Sequence, residues 1–219
     1  MTDPNVSYPA ELYVRLYERG RRGLRARESE TGQVAAAFLD RDGVINNKGH
    51  YVNRPADFEL LPGVGDAIRR LNEASVPVVV VTNQGGVAME YLSIEDLDDI
   101  QDRMDEDLAA LGAHVDAVYG ALAYPEGTLR ALRKESLYRK PAAGMLYQAA
   151  DDLGIDLAAS TMVGDTSTDI AAGKSAGCRT ILVRTGFAGR DGRAEVHPDH
   201  VVADLSAAVD LILGPPDSA

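Results

Sequence analysis

Residues 34–46 read Val34-Ala35-Ala36-Ala37-Phe38-Leu39-Asp40-Arg41-Asp42-Gly43-Val44-Ile45-Asn46. A short apolar run stops at two carboxylates, one residue apart, followed by a glycine. The run has the length of a buried strand and is short for a helix. Strand side chains alternate, so Asp40 and Asp42 start out on one side, where the chain leaves the sheet. Gly43 lets the backbone turn sharply and approach a ligand. Two carboxylates in one place repel each other, and a hard cation such as Mg²⁺ relieves that repulsion. Taken alone, the same residues suit a strand that runs into a solvated acidic turn.

Working outward, apolar runs alternate with helical patterns. Val76-Pro77-Val78-Val79-Val80-Val81 is a β-branched strand ending in the polar turn Thr82-Asn83-Gln84-Gly85-Gly86. Further strands are expected over residues 115–119, 160–163, 180–183 and 200–202. Helices are expected after Pro62-Gly63, from Ser93 with its capping partner Asp96, after Pro141, and over residues 169–176 and 205–213. Residues 121–138 show no period and read as a loop or short helical excursion. This order predicts an α/β fold: a three-layer, Rossmann-like parallel sheet with helices on both faces.

The helix after Ser93 threads Leu97, Ile100, Met104 and Leu108 through a run of aspartates, which predicts a solvated acidic face. Residues 1–33 read as a basic extension and linker ahead of a domain spanning 34–214, and 215–219 as a frayed tail. Within the extension the spacing of Leu12, Leu16, Tyr13 and Tyr17 predicts a helix over residues 8–27, whose second half carries Arg19, Arg21, Arg22, Arg25 and Arg27. A basic segment on an acidic body is expected to dock on that body or on a second subunit.

The 219 residues carry a net charge of −12, which disfavours nucleic-acid and membrane partners. A few local cations are still enough to hold a small phosphorylated metabolite. Cys178 is the one cysteine, so neither an internal disulfide nor a cysteine-rich zinc site is available. With no signal peptide and no apolar run of membrane length, a cytoplasmic protein is expected.

Four polar clusters fall at strand ends or helix starts: Asp40/Asp42, Thr82/Asn83, Lys140 and Asp165/Asp169. In a parallel sheet such ends open on one edge, where residues distant in sequence converge. The chemistry that wants this set is phosphoryl transfer through a covalent aspartyl phosphate. A carboxylate attacking a phosphate dianion needs positive charge supplied beforehand, by Mg²⁺ and a lysine. A threonine hydroxyl and backbone N–H groups hold the phosphoryl oxygens, and a second carboxylate moves the proton. Asp165 and Asp169 also suit a helix N-terminus, and both readings can hold at once. Gly173-Lys174-Ser175 resembles the end of a nucleotide P-loop, but Thr168 stands where that motif needs its first glycine.

The four clusters resemble the motifs of the haloacid dehalogenase (HAD) superfamily of aspartate-nucleophile phosphatases. Phe38 to Asn46 is similar to the first motif, Val81-Thr82-Asn83-Gln84 to the second, Arg139-Lys140-Pro141 to the third, and Gly164-Asp165-Thr166-Ser167-Thr168-Asp169 to the fourth. Within the superfamily the wording is similar to the subgroup of the D-glycero-D-manno-heptose 1,7-bisphosphate and histidinol-phosphate phosphatases. The resemblance implies Asp40 as nucleophile and Asp42 as general acid/base, with Thr82 and Lys140 on the phosphoryl group. It implies Mg²⁺ on Asp40, Asp42 (through its carbonyl) and Asp165, with Asp169 orienting Lys140 or a metal-bound water. Substrate contacts are implied for Lys48, Gly49, His50, Tyr51, Asn83, Gln84 and Arg139. No large cap domain fits between the motifs. Many members of the subgroup carry a zinc loop before the Arg-Lys-Pro step, whereas residues 124–138 here contain no cysteine or histidine, so no zinc is expected. The expectation is therefore a Mg²⁺-dependent phosphate monoester hydrolase acting on heptose bisphosphate. The alternatives are another sugar phosphate or histidinol phosphate, or a silent HAD-like scaffold that binds a partner. The intact Asp40/Asp42 pair speaks against the scaffold.

Overall fold

The computed structural model describes residues 7–18, 34–47 and 52–214. Seven strands form one sheet: β1 (Leu12–Leu16), β2 (Ala37–Leu39), β3 (Val78–Asn83), β4 (Ala117–Ala121), β5 (Thr161–Gly164), β6 (Arg179–Val183) and β7 (His200–Val202). Their order is β1-β4-β3-β2-β5-β6-β7, all parallel except β1, which pairs antiparallel with β4. Five helices are described: α1 (Val64–Glu73), α2 (Ile94–Ala110), α3 (Gly144–Leu153), α4 (Ser167–Ala176) and α5 (Leu205–Leu213).

The valines of β3 show how the layers form. Val78 and Val80 join α1, α2 and α5 in one apolar cluster, through residues such as Ile68, Leu71, Ile100, Met104 and Val209. Val79 and Val81 face the other way, onto Met145, Leu146 and Ala149 of α3 and Ala172 of α4. All four are fully buried, as a period-2 strand sandwiched between two helical layers must be. No cap domain interrupts the order of elements among the described residues. None of the described helices is long and apolar enough to cross a membrane.

Two expectations need correction. The stretch expected to be helical over residues 8–27 contains the edge strand β1, and residues 19–33 lie outside the described residues. A spacing of i and i+4 puts side chains on one face of either a helix or a strand, so Leu12/Leu16 and Tyr13/Tyr17 fit both periods. The tertiary partner decides. Leu12 and Leu16 are buried under the α3 layer, while Tyr13 and Tyr17 pack toward α2. The aspartate face of α2 is accordingly not simply solvated. Tyr13 donates to Asp98 at 2.6 Å and Tyr17 to Asp105 at 2.6 Å. Arg15 pairs with Asp102 and, at 3.4 Å, with Asp105. The α2 start is as expected: Ser93 Oγ accepts from Asp96 N–H and Asp96 Oδ2 accepts from Ser93 N–H.

Candidate active site

The C-terminal ends of β2, β3 and β5 lie side by side, with Leu39 in register with Val80 and Val163. That register brings the Asp40, Thr82 and Asp165 positions to one edge of the sheet. Lys140 joins them from the segment between β4 and α3. Its ammonium is buried, 2.9 Å from Asp40 Oδ1 and 2.6 Å from Asp169 Oδ1, and it donates to the Val81 carbonyl at 2.7 Å. Burial opposes its charge, but the fields of Asp169 and Asp40 outweigh burial and raise its pKa, so it is a permanent cation.

Asp40 is the counterpart. Its Oδ1 accepts from both Lys140 and the backbone N–H of Arg41 at 2.8 Å. Among the described residues nothing hydrogen-bonds Oδ2, the oxygen left to meet an electrophile. Burial raises the Asp40 pKa, Lys140 works against that rise, and the charges of Asp169 and Asp42 add to it.

Asp42 is held apart from this pair. Arg41 contacts both its oxygens, at 3.1 and 3.0 Å, Asn46 donates to Oδ1 at 3.0 Å, and Gln84 donates to Oδ2 at 3.0 Å. Burial alone would raise its pKa; the Arg41 charge and these donors reverse the sign and hold it below the ordinary carboxylate range. Gln84 also donates to Thr82 Oγ1 at 3.0 Å, so one buried amide links the first strand end to the second. Asn83, expected as a substrate contact, lies against the Lys140 backbone. Its Oδ1 accepts from Lys140 N–H and its Nδ2 donates to the Lys140 carbonyl, both at 3.0 Å. Asn83 therefore holds the lysine's backbone in place.

On the fourth cluster, Thr166 caps α4 and Asp169 completes the capping box. Asp169 Oδ2 accepts from Thr166 N–H at 2.9 Å and Oγ1 at 2.6 Å, while Oδ1 meets Lys140. One oxygen each from Asp40, Asp165 and Asp169 lie within 4.8 Å of one another, and all three residues are buried. This all-oxygen set is the hard-donor chemistry that Mg²⁺ takes, and two glycines make room for it. A Cβ at Gly43 (φ 96°) would stand 2.5 Å from Asp165 Oδ2, and one at Gly186 (φ 59°) 2.1 Å from the same atom. The Gly186 turn also delivers the Phe187 N–H to Asp165 Oδ2 at 2.7 Å.

Arg139 lies beside the lysine with its guanidinium 4.7 Å from the centre of the Tyr124 ring, and it donates to the Ala123 carbonyl at 3.4 Å. Burial lowers its pKa. Lys48, Gly49, His50 and Tyr51 lie outside the described residues. Sequence reasoning missed Arg41, whose side chain is 1% exposed. Its position between two aspartates was the available signal. It missed Phe187 as well, for which no local signal exists.

Comparison with known proteins follows the same line. The HAD-hydrolase-like family model matches residues 137–208. The D-glycero-D-manno-heptose-1,7-bisphosphate 7-phosphatase of Thermosynechococcus vestitus is 45% identical over 185 residues, covering 81% of this chain and 94% of that enzyme. The D-glycero-beta-D-manno-heptose-1,7-bisphosphate 7-phosphatase of Escherichia coli K12 is 42% identical over 154 residues, 70% of this chain and 81% of that enzyme. The crystal structure of D,D-heptose 1,7-bisphosphate phosphatase from B. bronchiseptica, complexed with magnesium and phosphate, superposes with a TM-score of 0.74 at 34% identity, covering 82% of this chain and 98% of the other. The chain thus belongs to the HAD-like phosphatases, in the family of the heptose 1,7-bisphosphate 7-phosphatases.

Proposed function

We propose that this phosphatase removes the 7-phosphate of D-glycero-D-manno-heptose 1,7-bisphosphate through a phosphoryl-Asp40 intermediate. The observation that carries the reading is Asp40 itself. One of its oxygens is anchored by Lys140 and Arg41 N–H and the other is left open, beside two more buried aspartates. Asp40 Oδ2 attacks phosphorus, and the bond from phosphorus to the sugar oxygen breaks. The departing alkoxide takes a proton from Asp42. In the second half Asp42 removes a proton from water, the water oxygen bonds to phosphorus, and the acyl-phosphate bond to Asp40 breaks, releasing phosphate.

Asp42 must leave Arg41 and Gln84 to do this, and its side chain is 23% exposed rather than sealed in. The Arg41 cradle favours the carboxylate, which suits the base half of the cycle. Thr82 and Lys140 hold the non-bridging phosphoryl oxygens, and Arg139 meets the rest of the substrate. Asp40, Asp165 and the Asp42 carbonyl would hold Mg²⁺, with Asp169 behind Lys140; the ion supplies charge neutralisation for the phosphoryl group. Phosphate release from heptose 1,7-bisphosphate, with histidinol phosphate alongside and Mg²⁺ present, tests the proposal. Wild type should turn over the bisphosphate and Asp40→Asn should not. Equal or better turnover of histidinol phosphate would move the substrate to the sister group.

A further inference from the structure

The segment between β4 and α3, residues 122–143, contains no helix or strand, yet it delivers Arg139 and Lys140 to the site. Lys140 is fixed from inside by Asn83, Asp40 and Asp169. Among the described residues the Arg139 side chain makes one 3.4 Å hydrogen bond, stacks on the Tyr124 ring and feels the charge of Glu135, so its position depends largely on the backbone beneath it.

That backbone is tied to the far edge of the sheet. Glu11, the residue before β1, accepts from Ser136 Oγ through Oε1 at 3.1 Å and pairs through Oε2 with Lys134. Its carbonyl also accepts from Leu122 N–H at 2.9 Å, so it grips both ends of the excursion. Ser136 passes the constraint on: its Oγ accepts from Tyr138 N–H at 3.1 Å, and its carbonyl from Arg139 N–H at 3.3 Å. The Glu11 side chain is 15% exposed, so these bonds are partly shielded from water. Leu132 in the core and Leu129 N–H on the Ala88 carbonyl support the segment ahead of Lys134; past Ser136 it is braced by Gly144 N–H on the Leu137 carbonyl and by Asn83 on the Lys140 backbone, and Glu11 ties the stretch between them.

We infer that Glu11 is a positioning residue for substrate recognition, acting through Ser136 and Lys134 on Arg139, so that the N-terminal strand completes the active site. The inference rests on the reading of Arg139 as a substrate contact. It is a role for a segment that the catalytic motifs do not include.

Steady-state kinetics on two substrates test it, because p-nitrophenyl phosphate offers Arg139 nothing beyond its single phosphoryl group. Glu11→Ala and Ser136→Ala should each raise KM for the heptose bisphosphate about tenfold, with kcat within about twofold, since an arginine displaced by a fraction of an ångström loses binding before chemistry. Both variants should leave p-nitrophenyl phosphate turnover unchanged. The double variant should be no worse than the worse single one, as expected for residues in one relay. Glu11→Gln keeps an acceptor for Ser136 and should restore most of the lost affinity. If Glu11→Ala does not fold, Ser136→Ala carries the test by itself. A wild-type KM in Ser136→Ala, or parallel losses on both substrates, overturns the relay. Arg139→Ala separates the two levels. A raised KM there with none in the Glu11 and Ser136 variants sinks the relay alone, whereas an unchanged KM in Arg139→Ala sinks the reading beneath it.

Discussion

Replacing Lys140 by methionine removes one cation from a site where it meets three acceptors. Lys140 is 3% exposed, and its ammonium lies 2.6 Å from Asp169, 2.9 Å from Asp40 and 2.7 Å from the Val81 carbonyl. Methionine fills a similar volume, so the loss is chiefly electrostatic: two buried carboxylates face each other with nothing between them. Removing one partner of a buried pair costs about 3–5 kcal/mol. Asp40 can relieve part of this by taking a proton, since burial already raises its pKa, which points to about 3 kcal/mol. For a chain of this size that lowers Tm by roughly 6–12 °C. Added Mg²⁺ should recover more of Tm in the variant than in wild type, because a second cation can stand between the same carboxylates. Turnover should fall by about 10²–10³-fold, the usual cost of losing one fixed donor to a transferring group. Thermal melts with and without Mg²⁺, together with phosphate release at saturating substrate, provide the readouts. A variant melting within about 2 °C of wild type, or retaining more than about a tenth of its kcat, would refute the electrostatic account of Lys140.

Asp40→Asn keeps the shape of the nucleophile and should lower kcat by more than about 10³-fold. Acid-quenched wild type should yield a peptide phosphorylated at Asp40, and the variant none. Gly43→Ala forces a side chain onto a backbone at φ 96° and against Asp165, so Mg²⁺ affinity measured by calorimetry should drop about tenfold or more. Deleting residues 1–16 strips Leu12 and Leu16 from the core and bares the edge of β4. A stability loss of about 3–6 kcal/mol and aggregation visible by light scattering are expected. Asp199 is drawn down to about 2 by the bond from Lys174, then by those from Thr180 N–H and Oγ1. A depressed carboxylate stabilises the fold above its unfolded pKa and loses that contribution as pH falls through the folded value. Asp199→Asn should therefore be less stable than wild type at neutral pH, with the gap in urea midpoint closing below about pH 4. A gap that stays constant down to pH 3 would contradict this assignment, about one unit below that onset.

Much of the site was legible because it sits where local patterns end. The run before Asp40, the valines before Thr82 and the apolar residues before Gly164 mark strands by composition and length alone. Parallel topology then places their polar ends on one edge without any knowledge of contacts. The glycine after Asp42 is equally local, whereas the helix that was expected from residue 169 starts at Ser167 with Thr166 as its cap. Other features were legible only in part. Leu12 and Leu16 share a face in either a helix or a strand, and the antiparallel partner Tyr119 and its neighbours on β4 settle the matter. Asn83 and Gln84 were marked as polar residues at the right edge, but their partners depend on where Lys140 and Asp42 come to rest.

The chain's covalent order thus determined the alternation of strand and helix, the sheet edge where the polar strand ends converge, and the carboxylates and lysine gathered there. Each of these follows from periodicity or from neighbours a few residues apart. Only the tertiary structure decided that Arg41 is buried against Asp42, that Phe187 N–H reaches Asp165, and that Glu11 holds the segment carrying Arg139. Hydrogen bonds between residues 22 or 125 positions apart are set by sheet register and loop closure, and no local pattern encodes those.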